Sequence, residues 1–185
     1  MINSSRKTGF TGEIAHMKND WMLSSNFAKK QESFYMNTHP DFEELLRLLE
    51  EYQVNYMIVG GYAVAFHGYP RFTKDIDVFF DCSESNAKRV QQVLVDFGFT
   101  QKDVPLELFT TRGNVLTFGI EPSRVDLINN IDGITFEEAS KDIVRGRYGS
   151  IEVSFIGLKE LILNKKASKR TRDLGDAEEL EARNQ

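Results

Sequence analysis

The feature that most constrains this chain is the run from Val54 to Phe80, VNYMIVGGYAVAFHGYPRFTKDIDVFF. A short apolar segment ended by two glycines reads as a buried strand followed by a tight turn. YAVAFHG is then a short helix that starts at those glycines and stops at Gly68. DIDVFF is a second strand, whose alternation puts Asp75, Asp77 and Phe79 on one face and Ile76, Val78 and Phe80 on the other. Two carboxylates on one face, about 7 Å apart along the backbone, repel unless a cation or a proton sits between them.

The rest of the composition sets the frame for that pair. The 185 residues suffice for one core, and 41% apolar with 28% charged residues describes an ordinary globular protein. A formal net charge of −5 argues against a surface that wraps nucleic acid indiscriminately, while leaving room for a local basic patch. Cys82 is the single cysteine, so there is no intrachain disulfide and no Cys-rich zinc site, and a reducing, cytoplasmic home is expected. No apolar run is long enough for a membrane span, and the first thirty residues lack the apolar core of a signal peptide.

Residues 1–35 are polar and without sustained periodicity. They read as an N-terminal extension, expected to be flexible: a docking arm, a tail, or sequence upstream of a start at Met36. Residues 36–185 read as a single domain. Thr38 is the expected cap of a first helix with Pro40 and Asp41 in its first turn and Phe42, Leu45, Leu46 and Leu49 as its apolar stripe. SESNAKRVQQVLVDFGF predicts an amphipathic helix capped by Ser83 or Ser85, with Val90, Val93, Leu94 and Phe97 inward. LELFTTR, VLTFGI and RVDLIN read as three strands, FEEASKDIV as a short helix and GSIEVSFIG as a further strand. The C-terminal stretch is helical with a break near Ser168 to Asp173. This order predicts an α/β (α+β) fold: a mixed, partly antiparallel sheet flanked by helices.

Carboxylate ligands paired in this way suit Mg²⁺ or Mn²⁺, which bind through one or two carboxylates plus substrate phosphates. A Gly-Gly turn leading into a helix exposes backbone N–H groups suited to an anion. Together, Gly60, Gly61, Asp75 and Asp77 can hold a triphosphate by its oxygens and by its metal. Alone, each half is commonplace, since a D-x-D is often a solvated strand face and Gly-Gly often only a turn. Arg71 and Thr73 lie just before the acids, where a guanidinium could bind triphosphate oxygens or instead anchor the loop through a salt bridge. His67, with no second histidine or cysteine at ligand spacing, reads as a helix-end residue. KKASKRTRD places five basic residues between Lys165 and Arg172, by default a solvated helix surface.

VGG at Val59–Gly61 followed by DID at Asp75–Asp77 resembles the nucleotidyltransferase superfamily that includes DNA polymerase beta and aminoglycoside nucleotidyltransferases. GGYAVAFHGYPRFTKDID further resembles small bacterial proteins related to nucleotidyltransferase toxins of abortive-infection systems. The resemblance spans most of residues 40–180 and implies a nucleotidyltransferase-like fold that moves a nucleoside monophosphate from an NTP to an acceptor hydroxyl, with Mg²⁺ or Mn²⁺. It implies a third carboxylate on a later strand, matched by Asp126 in SRVDLIN, which would share the metal and act as base toward the acceptor. It places Lys165, Arg172, Asp173 and Asp176 at recurrent positions of the closing helices. Lys165 would reach a phosphate if its helix packs over the face bearing Asp75 and Asp77, and Asp173 would cap the last helix. Gly61 stands where many active relatives have serine, which keeps open a binding module of this fold without the chemistry. A toxin component acting on tRNA or protein, with a separate antitoxin chain, is the other alternative, and the acceptor, whether small molecule, tRNA or protein, stays open.

Overall fold

Helix α1 (Pro40–Glu51) forms where the apolar stripe predicts it, with Phe42, Leu45, Leu46, Leu48 and Leu49 buried. Its cap is His39 rather than Thr38: the His39 ring accepts from the Asp41 N–H, and the His39 backbone N–H donates to the Tyr148 hydroxyl. The computed structural model describes residues 38–120 and 123–184, so the N-terminal extension at 1–35 lies outside the described residues.

Strand β1 (Tyr56–Val59) is buried throughout and runs straight into α2 (Gly60–Phe66). The chain returns through a loop to β2 (Ile76–Phe80), which pairs with β1 antiparallel. Adjacent antiparallel strands need only a two-residue turn. Here a helix and loop, residues 60–75, are inserted instead, and both ends of the insertion meet at one place because Val59 is the partner of Asp77.

Helix α3 (Glu84–Phe97) packs on α1 and buries Val90, Val93 and Leu94. Ser83 occupies the cap position, but neither Ser83 nor Ser85 caps it with a side chain: the Ser83 N–H and hydroxyl both donate to Asp81. LELFTTR is not a strand. It forms a short helix, α4 (Glu107–Thr110), because Phe109 turns fully into the core and the Asn129 side chain donates to the Phe109 and Thr111 carbonyls.

Strands β3 (Val115–Ile120) and β4 (Ser123–Ile128) form an antiparallel pair, and β4 lies parallel to β2. After α5 (Phe136–Ala139), closed by a capping box between Thr135 and Glu138, comes an unanticipated strand, β5 (Val144–Tyr148). It pairs with β6 (Ile151–Phe155), which is parallel to β1. Among the described residues the six strands make one mixed sheet, ordered β3-β4-β2-β1-β6-β5. Helices α6 (Leu158–Ser168) and α7 (Thr171–Arg183) pack on each other, and α6 reaches α2. The break between them is at Lys169, in the left-handed region at φ 56°.

Candidate active site

Strand register assembles the site. Because β2 and β4 are parallel and Asp77 is the partner of Asp126, two acids distant in sequence come to the same level on neighbouring strands. Because β1 runs the other way, its C-terminal glycines arrive at that level too. Gly60 has φ +62°, a conformation that side chains disfavour, and a Cβ there would collide with the Asp77 carboxylate. At Gly61 a Cβ would stand 2.6 Å from the Thr73 hydroxyl oxygen. The two glycines thus let the turn close onto Asp77 and the loop before β2.

The acids differ in their surroundings. Burial raises the Asp77 carboxyl to about 6, repulsion from Asp126 and Asp75 adds to the rise, and Lys165 and the Gly61 N–H oppose it. Asp75, half-buried, is held in a fork by Arg124, with Nε–Oδ1 3.3 Å and Nη2–Oδ2 3.0 Å. Asp126 accepts from the Thr117 hydroxyl at 2.6 Å. Among the described residues, no three His, Cys, Asp or Glu side chains stand ready as a metal cage. The oxygen donors nonetheless suit a hard divalent cation: Asp77 is raised by burial and by repulsion from Asp126 and Asp75, a repulsion a cation would relieve.

Arg71, Lys165 and Thr73, expected at the phosphates, each have a partner within the protein. Arg71, read as a triphosphate ligand or a loop anchor, has its guanidinium committed to Asp176: Nη2 donates to Oδ2 at 2.8 Å. Its Nε lies 2.7 Å from Oδ1, without hydrogen-bond alignment. Lys165 is buried and close enough to lower Asp77, but its ammonium is bonded to Asp173 at 2.5 Å and lies 3.2 Å from Asp176. Asp173 does not cap α7, whose cap is Arg170; it accepts from Lys165 and from the Ser168 hydroxyl. Its carboxyl is held below the usual range, as those bonds outweigh burial, the largest single influence, which raises it. Thr73 donates to the Asp75 carbonyl at 3.4 Å. His67 ends α2, as expected, with Nε2 2.7 Å from the Ile156 carbonyl, and burial lowers its pKa.

Arg124 and Thr117 are the neighbours of the acids that sequence reasoning missed. Arg124 is two residues before Asp126, so alternation puts it on the same strand face, and that signal was available. Thr117 becomes visible only with the β3–β4 register, which pairs it with Asp126. A cavity of about 900 Å³ borders the opposite end of β1 and β2, beside Tyr56, Asp81 and Arg145.

Comparison with known families places the chain among the nucleotidyltransferases. Residues 41–149, more than half of the chain, match the model of the aminoglycoside-2''-adenylyltransferase family. The chain belongs to that family. No curated protein sequence matched the chain. Among solved structures it is similar to ANT(2")-Ia in complex with adenylyl-2"-tobramycin, at 14% identity, TM-score 0.50, covering 77% of this chain and 86% of that one. It is also similar to a lincosamide antibiotic adenylyltransferase with lincomycin bound, at 18% identity, TM-score 0.48, covering 78% and 97%.

Proposed function

We propose that the protein transfers a nucleoside monophosphate from an NTP to a hydroxyl of a small acceptor, with Mg²⁺ or Mn²⁺ bound at the acids. The observation that carries this reading is the register of Asp77 beside Asp126, closed from the other side by Gly60. Membership of an aminoglycoside adenylyltransferase family favours a polyhydroxylated small molecule over tRNA or protein as acceptor, and ATP as donor.

Asp75, Asp77 and Asp126 would hold the metal, which requires Asp75 to release Arg124. Bound there, the ion would offset charge developing on the attacking and leaving oxygens. Asp126, positioned by the Thr117 hydroxyl, takes the proton as the acceptor hydroxyl oxygen forms its bond to the α-phosphorus. The bond from that phosphorus to the β-phosphate bridging oxygen breaks, and pyrophosphate leaves with the electron pair. Gly60 and Gly61 shape the wall against which the triphosphate lies. Thr73 keeps the loop closed on Gly61, and the Arg71–Asp176–Lys165 network ties that loop to α6 and α7.

The test is incubation with each labelled NTP, Mg²⁺ and a panel of aminoglycoside and lincosamide acceptors, following label transfer and pyrophosphate release. Transfer to one acceptor, abolished in Asp126→Asn, is the expected result. Label appearing only on tRNA or protein from added extract would overturn the small-acceptor reading.

A further inference from the structure

The sheet register sets four charges on one face in two rows. Val125 is the partner of Ile76, so Arg124 falls beside Asp75 just as Asp126 falls beside Asp77. One row therefore holds a cation against an acid, and the next holds two acids. Arg124 grips both oxygens of Asp75, through Nε at 3.3 Å and Nη2 at 3.0 Å. Arg71, in the loop before β2, is paired with Asp176 in a nearly dry setting, the two side chains 16% and 3% exposed. Opening such a pair strands a buried charge and is costly. Arg124 and Asp75 are 38% and 30% exposed, and a pair this open to water gains little from staying closed. Of these two guanidinium groups, that of Arg124 can change partner and that of Arg71 cannot.

We propose that Arg124 makes the acids favour a metal–nucleotide complex over the bare divalent ion. This rests on the nucleotidyltransferase reading and adds how metal and nucleotide depend on one another at that site. A divalent ion at Asp75 has to take its oxygens from the fork. It then has the freed guanidinium as a like-charged neighbour, kept close by its place on β4 two residues before Asp126. Both effects weaken a bare ion. A triphosphate reverses the second, because phosphate oxygens accept from a guanidinium in the same bidentate way as a carboxylate does. The fork that Asp75 gives up is remade on phosphate, and the positive charge that opposed the ion offsets part of the charge that the nucleotide brings. The exchange is the same whichever way the triphosphate lies, since phosphates held by an ion at Asp75 are within reach of the side chain that was bonded to Asp75. Arg124 then makes the phosphate contact that the sequence offered to Arg71.

The experiment compares wild type, Arg124→Gln and Arg124→Lys as full chains in two titrations. Mn²⁺ alone is followed by loss of the free-ion electron paramagnetic resonance signal, and ATP at saturating Mn²⁺ is followed by calorimetry. Arg124→Gln is expected to bind Mn²⁺ alone about two- to five-fold more tightly, the worth of one partly exposed ion pair. It is expected to bind ATP about ten- to 100-fold more weakly, the worth of a charge-assisted contact to phosphate. Arg124→Lys keeps the charge without the fork, so its Mn²⁺ affinity stays near that of wild type and its ATP affinity falls between the other two. A merely structural role for Arg124 would weaken both ligands in Arg124→Gln and would overturn the inference alone. So would an unchanged affinity for either ligand, or tighter binding of both. If wild type binds neither Mn²⁺ nor ATP with Mn²⁺, the nucleotidyltransferase reading itself falls, and this inference with it.

Discussion

Replacing Asp77 by Asn should make the metal-free protein more stable while removing its activity. Asp77 is a buried acid facing Asp126 and Asp75, and its carboxyl is raised from 3.8 to about 6. Each pH unit of that rise corresponds to about 1.4 kcal/mol, so the ionised group costs the native state up to about 3 kcal/mol at neutral pH. A raised carboxyl binds its proton more tightly in the native state than in the unfolded one. The cost is therefore absent below about pH 4, where both states are protonated, grows between about 4 and 6, and is complete above that. Asparagine is nearly isosteric, keeps an oxygen to accept the Gly61 N–H, and carries no charge. Lys165 is not left alone, since Asp173 and Asp176 remain beside it. For a protein of this size, about 3 kcal/mol corresponds to roughly 6–12 °C in Tm. Thermal melts in EDTA from pH 4 to 8 should show the variant melting higher by up to that amount at pH 8 and level with wild type at pH 4. A variant no more stable than wild type at pH 8, or a gain independent of pH, would refute the electrostatic account.

Gly60→Ala forces a side chain into the left-handed region and against the Asp77 carboxylate, and urea denaturation should report a loss of roughly 1–3 kcal/mol together with lost turnover. Asp176→Ala removes the carboxylate that Arg71 and Lys165 share in a nearly dry setting; the expected loss is about 3–5 kcal/mol by the same measurement. Thr117→Val removes the hydrogen bond to Asp126, and should lower kcat several-fold with unchanged nucleotide affinity and unchanged melting.

The strands that carry the site were legible because their chemistry is local. β1 and β2 declare themselves by an apolar run and by alternation, and the glycine pair marks where the chain must turn. What joins the acids is not local. Nothing in SRVDLIN says that β4 runs parallel to β2 with Asp126 beside Asp77, because register is set by the packing of distant faces. LELFTTR alternates like a strand, yet Leu106 and Phe109 are three apart and both turn inward, a helical spacing in a segment too short for periodicity to decide. β5 was invisible because VRGRY carries two exposed arginines and a glycine; Gly146 is there because the Phe66 ring lies where its Cβ would be. The salt bridge that anchors the Arg71 loop, the partners of Lys165 and the failure of Asp173 to cap α7 have one shared reason. Asp176 brings these charges into one network only once α6 and α7 fold over the loop, a contact no local stretch of sequence announces.

The central claim is that Asp75, Asp77 and Asp126 make a metal-dependent NTP site against the Gly60–Gly61 turn. Calorimetric titration of the wild-type chain with ATP, in Mg²⁺ and in EDTA, beside the same titrations of Asp77→Asn, tests it most directly. Saturable heat in wild type with Mg²⁺, lost in EDTA and lost in the folded variant, is the predicted result. ATP binding that persists without the metal, or in Asp77→Asn with undiminished affinity, would contradict it.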